Sequence, residues 1–267
     1  MKRILISVVS LFISVMASAQ FSESTKGLLL MPSAEMEPNG TFMISNSFLN
    51  KNYLPYRKGN PYMWGYNTFG YGFSITFWSR LEVAYILTIF NGAWNPQAKT
   101  WRSKIMKNQD RHFAARFQVL KENEFDLNWM PSVVIGVSDP TTGGGGGGYF
   151  DDKSKIVSNG FFHREYVAAT KHFNTPWGEI GAHAGYQLTR RRDFIKPGPM
   201  AAVTWNPVWL NQPDQFLSSF RLIGEYDAET INIGFSTSVW KDHFEGWFCL
   251  QNCQWVSAGL RYKLVIK

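Results

Sequence analysis

Twelve segments of about ten residues, each alternating apolar side chains with polar or small ones, constrain this chain more than any other feature. In the last of them Val256, Ala258, Leu260, Tyr262 and Leu264 fall on one side and Ser257, Gly259, Arg261 and Lys263 on the other. Side chains in a strand have a period of two, so such a segment has one greasy face and one wet face. The same pattern sets Ile231, Ile233, Phe235 and Val239 opposite Asn232, Gly234, Ser236 and Ser238, and Ile180, Ala182, Ala184, Tyr186 and Leu188 opposite Glu179, Gly181, His183, Gly185 and Gln187. The spacing predicts strands over 41–49, 66–78, 81–89, 112–121, 130–138, 163–172, 178–188, 201–208, 218–226, 230–240, 245–251 and 254–266. Their wet faces carry Gly, Ser, Thr and scattered charges, where a soluble sandwich would be richer in Lys and Glu.

Lys2 and Arg3 precede an apolar run over 4–16, and Ala17-Ser18-Ala19 has the small residues of a cleavage site, so residues 1–19 read as a signal peptide with the mature chain starting near Gln20. The run is too short to span a bilayer, and nothing downstream reaches the eighteen apolar residues that a membrane helix needs. A chain with 45% hydrophobic and 16% aromatic residues behind a secretion signal then points to a β-barrel of the bacterial outer membrane. The connections agree with that. Residues 50–65, 90–111, 139–162 and 189–200 are long, whereas Ser79-Arg80, 173–177 and 241–244 are short, as extracellular loops and periplasmic turns are in such barrels. Trp78, Trp129, Trp177, Trp209 and Trp240 lie at or beside expected periplasmic turns, where indoles collect between hydrocarbon and headgroups. These observations predict an all-β fold: a single transmembrane antiparallel barrel over 41–267 with both ends in the periplasm, preceded by a plug or strap over 20–40. The segment 27–39 contains Pro32 and Pro38 and should not extend the sheet, yet its apolar residues 28–31 need cover, so it is expected to tuck into the periplasmic mouth.

Alternation places Glu82, Arg116, Gln118, Glu179, His183, Arg221, Glu225, Arg261 and Lys263 on the inward face. Two readings of this mixed-sign set stay open. It is either a ladder of ion pairs filling a narrow lumen, with arginines locked to Glu82, Glu179 and Glu225, or a polar track that exchanges hydrogen bonds with a sugar polymer. Trp78 and Trp240 would offer stacking faces near the mouth of such a track. The net charge of +7 becomes +5 once Lys2 and Arg3 are cleaved, because residues 1–20 hold no acid. That suits loops facing anionic lipopolysaccharide. Beyond Arg190-Arg191-Arg192 there is no basic run that would suggest nucleic acid as a partner.

Cys249 and Cys253 flank Leu-Gln-Asn, a plausible hairpin tip across which a disulfide could close, and two thiols are too few for a metal site. The glycine run 143–148 lacks the Lys-Ser/Thr of a phosphate loop and reads as an extracellular loop, with no cofactor expected. His112, His163, His172, His183 and His243 are the candidate bases for a lipid-modifying enzyme, but no G-x-S-x-G motif supplies a nucleophile, and a non-catalytic barrel is the expectation.

Two motifs narrow the class. Residues Ser257-Ala258-Gly259-Leu260-Arg261-Tyr262-Lys263-Leu264 resemble the terminal signal read by the outer-membrane assembly machinery. Residues 27–41 (GLLLMPSAEMEPNGT), with Gly224-Glu225-Tyr226-Asp227 and Ile231-Asn232-Ile233-Gly234, resemble the YjbH family of exopolysaccharide-associated outer-membrane proteins. The resemblance implies assistance in secreting or assembling an exopolysaccharide or capsule, with polysaccharide and periplasmic export proteins as partners and no catalytic residues to carry over. A small porin-like or structural barrel remains the alternative.

Overall fold

The computed structural model describes residues 24–50, 52, 67–90, 94–95, 100–101, 108–140, 162–189, 196–211 and 215–266. The expected signal peptide, the glycine run and the Arg190–Arg192 triplet lie outside them. Twelve strands form one closed antiparallel barrel. They are β1 (Thr41–Leu49), β2 (Thr68–Phe77), β3 (Leu81–Phe90), β4 (Asn108–Leu120), β5 (Ser132–Ser138) and β6 (Arg164–Thr175). The second half comprises β7 (Gly178–Leu188), β8 (Gly198–Pro207), β9 (Leu217–Tyr226), β10 (Ile231–Val239), β11 (Phe244–Gln251) and β12 (Trp255–Val265). Each strand pairs with its chain neighbours, and β1 closes on β12 from Thr41 opposite Val265 to Phe48 opposite Ala258. Closure removes both sheet edges.

The differences from the sequence reading are local. Strand β4 starts at Asn108, four residues before the expected His112, because its ladder with β3 continues to Phe90 opposite Asn108. A two-residue hairpin, Trp94–Asn95 with Thr100–Trp101, forms in the long β3–β4 connection. Bulges interrupt the ladders at Gln118/Leu120 and Leu217/Ser219, each at the end of the barrel where the connections are mostly short. That end, which also holds both chain ends of the barrel, is called the turn end below; the other is the loop end.

The pleat sorts side chains as alternation predicts. Ile44, Phe73, Phe113, Ile135, Val203, Leu222, Ile233 and Val256 stand exposed on the outer face. Directly opposed outer aromatics touch across the ladders, Phe73 with Tyr85 at 5.8 Å, Tyr85 with Phe113 at 5.2 Å and Phe235 with Phe248 at 5.8 Å. Such cross-strand pairs contribute about 0.2–1 kcal/mol each. Trp78, Trp129, Trp177, Trp209 and Trp240 all lie at the turn end and are more than half exposed. Phe125 and Phe216 join them there. Trp78 and Ser79 both take positive φ, 54° and 52°, in the two-residue turn closed by Arg80 N–H donating to the Phe77 carbonyl at 3.0 Å, the geometry whose twist matches that of the strands.

The inner face is unusual in holding part of the chain itself. Residues 28–31 and Ala34 are buried with the inward wall residues Leu49, Val134, Tyr166, Ala168, Met200, Ala202, Ile223, Trp247 and Cys249 in one apolar cluster. Gly136 makes room in it, since a Cβ there would lie 2.2 Å from the Tyr166 ring. The core of this barrel is therefore its lumen, and the N-terminal segment fills it.

Candidate functional site

The plug runs from Ser24 to Asn39 without joining the sheet, so its backbone donors and acceptors need partners from elsewhere. It reverses direction in a tight turn, with Leu28 N–H donating to the Met31 carbonyl at 2.9 Å and a bridge between Gly27 and Pro32. The sequence reading placed this segment at the mouth of the barrel. The structure seats it much deeper, from Glu37 beside Lys263 at the turn end to Leu30 beside Glu225, two residues short of the loop-end turn at Asp227. Gly40, at φ 76°, turns the chain out of the lumen into β1, and Asn39 Oδ1 accepts the Trp78 N–H at 2.6 Å.

The inward residues singled out by alternation do face the lumen, and most of them grip the plug. The Glu225 carboxylate accepts three consecutive backbone N–H groups, from Leu29 at 3.0 Å, Leu30 at 2.7 Å and Met31 at 3.3 Å, with the Asn232 amide at 3.2 Å. Successive N–H groups converging on one anion form a nest. Here the nest is on the plug and the anion is on the wall. Opposite it, Glu82 accepts the Lys26 N–H at 3.1 Å and pairs with Arg116 Nε at 3.0 Å, both side chains fully buried. The Arg116 guanidinium also donates to the carbonyls of Lys26, Ser33 and Glu35, that to Ser33 at 2.9 Å. Gln118 donates to the Ala34 carbonyl at 2.9 Å, while the Ala34 N–H donates to Thr170, which is hydrogen-bonded to His183. Arg261 donates to the Thr25 carbonyl at 2.8 Å.

Two ion clusters fix the plug's polar ends. Lys263 Nζ lies 3.1 Å from Glu37, 3.0 Å from Glu245 and 3.2 Å from Asp242, and Lys26 Nζ lies 3.0 Å from Glu37. Burial pushes the Glu37 carboxyl up, but Lys26 and Lys263 outweigh it and hold the group at about 2. In the second cluster Glu35 pairs with Arg221 at 2.9 Å and with His172 at 3.2 Å, and His172 also contacts Glu122 at 2.6 Å. Burial again raises the Glu35 carboxyl, and Arg221 and His172 more than reverse it, leaving it well below the ordinary carboxylate range.

The arginine–glutamate ladder, one of the two readings left open by the sequence, forms only in part, and the possible cysteine bridge does not form. Arg116 does meet Glu82, but Arg221 turns to Glu35 of the plug and reaches Glu179 only through Asn206, at 3.1 and 2.9 Å. Arg261 faces Glu245 at 3.5 Å, and Glu225 serves the plug backbone instead of an arginine. The Cys249–Cys253 disulfide is not formed, and both thiols are free. The hairpin tip is Asn252-Cys253, both at positive φ, so Cys249 lies opposite Ser257 and faces the lumen while Cys253 projects from the turn. Glu35, Glu37, Glu245, Lys26 and Arg164 were missed. Alternation over β11 could have found Glu245; nothing periodic marks the plug's own charges.

Among the candidate bases His172 and His183 come together, edge to face with ring centroids 6.0 Å apart, while the other three lie at separate places on the wall. His172 and His183 contact carboxylates and threonines as above, His243 lies by the Lys263 carbonyl at 3.0 Å, and His163 is 3.6 Å from Glu165. His112 stacks on Phe162, with ring centroids 5.2 Å apart.

With barrel, plug and lumenal charges in view, the comparison with known families is decisive: the pattern of YjbH, described as exopolysaccharide biosynthesis protein YbjH, matches residues 21–197. The chain belongs to the YjbH family. The match begins ahead of the plug and ends at the start of β8, so it includes the plug segment and the strands that carry Glu82, Arg116, Thr170 and His183. A comparison with individual curated proteins finds none that matches. Membership of this family ties the protein to exopolysaccharide biosynthesis by the family's description.

Proposed function

We propose that this YjbH-family protein is a non-catalytic barrel of the bacterial outer membrane that assists secretion or assembly of an exopolysaccharide or capsule. The observation that carries the reading is a closed twelve-strand barrel, apolar outside and ringed by tryptophan at one end, in a chain of an exopolysaccharide family. An apolar wall with a polar, filled interior suits lipid outside and not water. The tryptophan ring then marks the periplasmic interface, with residues 1–19 removed as a signal peptide and the barrel inserted by the outer-membrane assembly machinery. The seated plug disfavours the rival reading as a continuously open small porin, because apolar residues 28–31 occupy the lumen. In the export role the plug either leaves when periplasmic export proteins engage the barrel or stays while the polymer is handled at the rim.

Deleting the gene should reduce surface polysaccharide, and the protein should fractionate with outer membranes and show heat-modifiable gel migration. Unchanged exopolysaccharide and capsule in the deletion strain would defeat the role, and recovery as a soluble periplasmic protein would defeat the location.

A further inference from the structure

Toward the loop end the lumen wall changes character over β2 to β5. Thr68, Thr88, His112 and Ser138 face inward on four successive strands, all essentially buried. The ladders hold them at neighbouring levels: Thr88 sits on β3 opposite Gly70, the next inward residue to Thr68, while His112 is opposite Ile86 and Ser138 opposite Ala114. Among the described residues, the three hydroxyls and both ring nitrogens of His112 have no hydrogen-bond partner. Phe162, on the segment entering β6, lays its ring against the imidazole at an interplanar angle of 20° and joins the arc to the apolar cluster around the plug.

Buried polar groups in folded proteins are nearly always paired, so a contiguous arc of unpaired ones points to an occupant that supplies the missing bonds. The chemistry of that occupant follows from what the arc offers. Hydroxyls and a neutral imidazole both donate and accept, and they match a ligand whose own groups do the same. The threonine methyls and the Phe162 ring supply apolar surface beside them. A pyranose has this combination, with hydroxyls around its edge and C–H groups on its faces. An anionic polymer would call for guanidinium groups, and the lumenal arginines Arg116, Arg164, Arg221 and Arg261 are engaged with the plug and with wall side chains.

We propose that the arc formed by Thr68, Thr88, His112 and Ser138, with Phe162, is a binding subsite for a neutral sugar unit of the polysaccharide. The identity of the natural polymer rests on the export reading; the class of ligand rests on the arc. Saturation-transfer NMR on the full-length barrel in detergent, with maltotetraose as the neutral probe and tetragalacturonate as the anionic one, tests it. The wild type should transfer saturation to maltotetraose and much less to tetragalacturonate. The double variant Thr88→Val with Ser138→Ala should weaken maltotetraose binding about tenfold, the scale of a small number of neutral hydrogen bonds. His112→Phe keeps a ring against Phe162 while removing both nitrogens, and it should weaken binding likewise, with heat-modifiable migration reporting that each variant is folded.

The absence of transfer to maltotetraose, a preference for the anionic probe, or binding unaffected by both variants would each overturn the subsite. A deletion strain with normal exopolysaccharide would defeat the export reading and leave this binding result standing. Lost export together with no maltotetraose binding would defeat the subsite alone.

Discussion

Two regions of the same lumen wall differ in what their polar side chains meet. Where the plug lies, Glu82, Arg116, Gln118, Glu225 and Arg261 spend their hydrogen bonds on its backbone, and Lys26, Glu37, Glu245 and Lys263 form a charge cluster around its end. On β2 to β5 near the loop end, Thr68, Thr88, His112 and Ser138 have no such partners. Both regions satisfy the same period-two pattern, so what separates them is the segment that occupies the lumen. The plug lacks a ladder of its own and borrows one, which explains why charged residues of both signs face inward without forming a track. A carboxylate such as Glu225, aimed at three N–H groups of a turn, holds a loop as firmly as a strand neighbour would.

If that contrast is right, the largest loss should come from breaking the fully buried pair that also anchors Lys26. Glu82→Ala leaves Arg116 charged and buried without its carboxylate, a change that typically costs about 3–5 kcal/mol. Urea unfolding of the refolded barrel in lipid vesicles should register it. A loss below about 1 kcal/mol would mean that the Arg116 contacts to plug carbonyls suffice by themselves.

Acidification attacks the plug by another route. Glu37 is held at about 2, below its ordinary value of 4.5, so its contribution is present above about pH 4.5 and is lost as pH falls toward 2. Glu35 is shifted in the same direction. Protection of the amides of residues 24–37, taken relative to their intrinsic exchange rate at each pH, should therefore fall below pH 4.5 while that of the barrel ladders holds. Protection lost equally in plug and strands would show that the plug is not a separate cooperative unit.

Glu225→Gln is the next step down. It keeps the shape and one acceptor oxygen but removes the charge that the three N–H groups share, and about 1.5–3 kcal/mol is the scale for hydrogen bonds to a charged group. Limited proteolysis should then cut between residues 24 and 36 in the variant and spare them in the wild type. Equal resistance would shift the plug's hold to the apolar cluster around residues 28–31.

How much of this was legible beforehand differs between wall and plug. The strands could be read because one face of each is apolar, and the five tryptophans do lie at the turns where the sequence placed them. Inward orientation of Arg116, Glu225 and Arg261 followed from the same period. Their contacts with the plug did not, since the plug is a segment of about sixteen residues with two prolines and no period, and the pairing depends on where that segment lies in three dimensions. Cys249 and Cys253 failed for a related reason. The turn centres on Cys253, two residues past the midpoint of the expected tip, which moves the residue opposite Cys249 by four, from Cys253 to Ser257. A one-residue movement of a turn's centre is enough to change every pairing across the hairpin.

The smallest expected effect is also the sharpest probe of the comparison. Thr88→Val and Ser138→Ala remove hydroxyls that have no partner among the described residues, at sites where the side chains are buried. Removing an unpaired buried hydroxyl relieves its desolvation cost, so each change should leave unfolding within about 1 kcal/mol of wild type or stabilise slightly. Thr170→Val is the matched control in the other region, because its hydroxyl accepts the Ala34 N–H and is hydrogen-bonded to His183. It should destabilise by about 1–3 kcal/mol. Urea midpoints for the three variants, measured in the same vesicles, decide the matter. If Thr88→Val and Thr170→Val cost the same, the two regions are energetically alike, and the arc is an ordinary part of the wall.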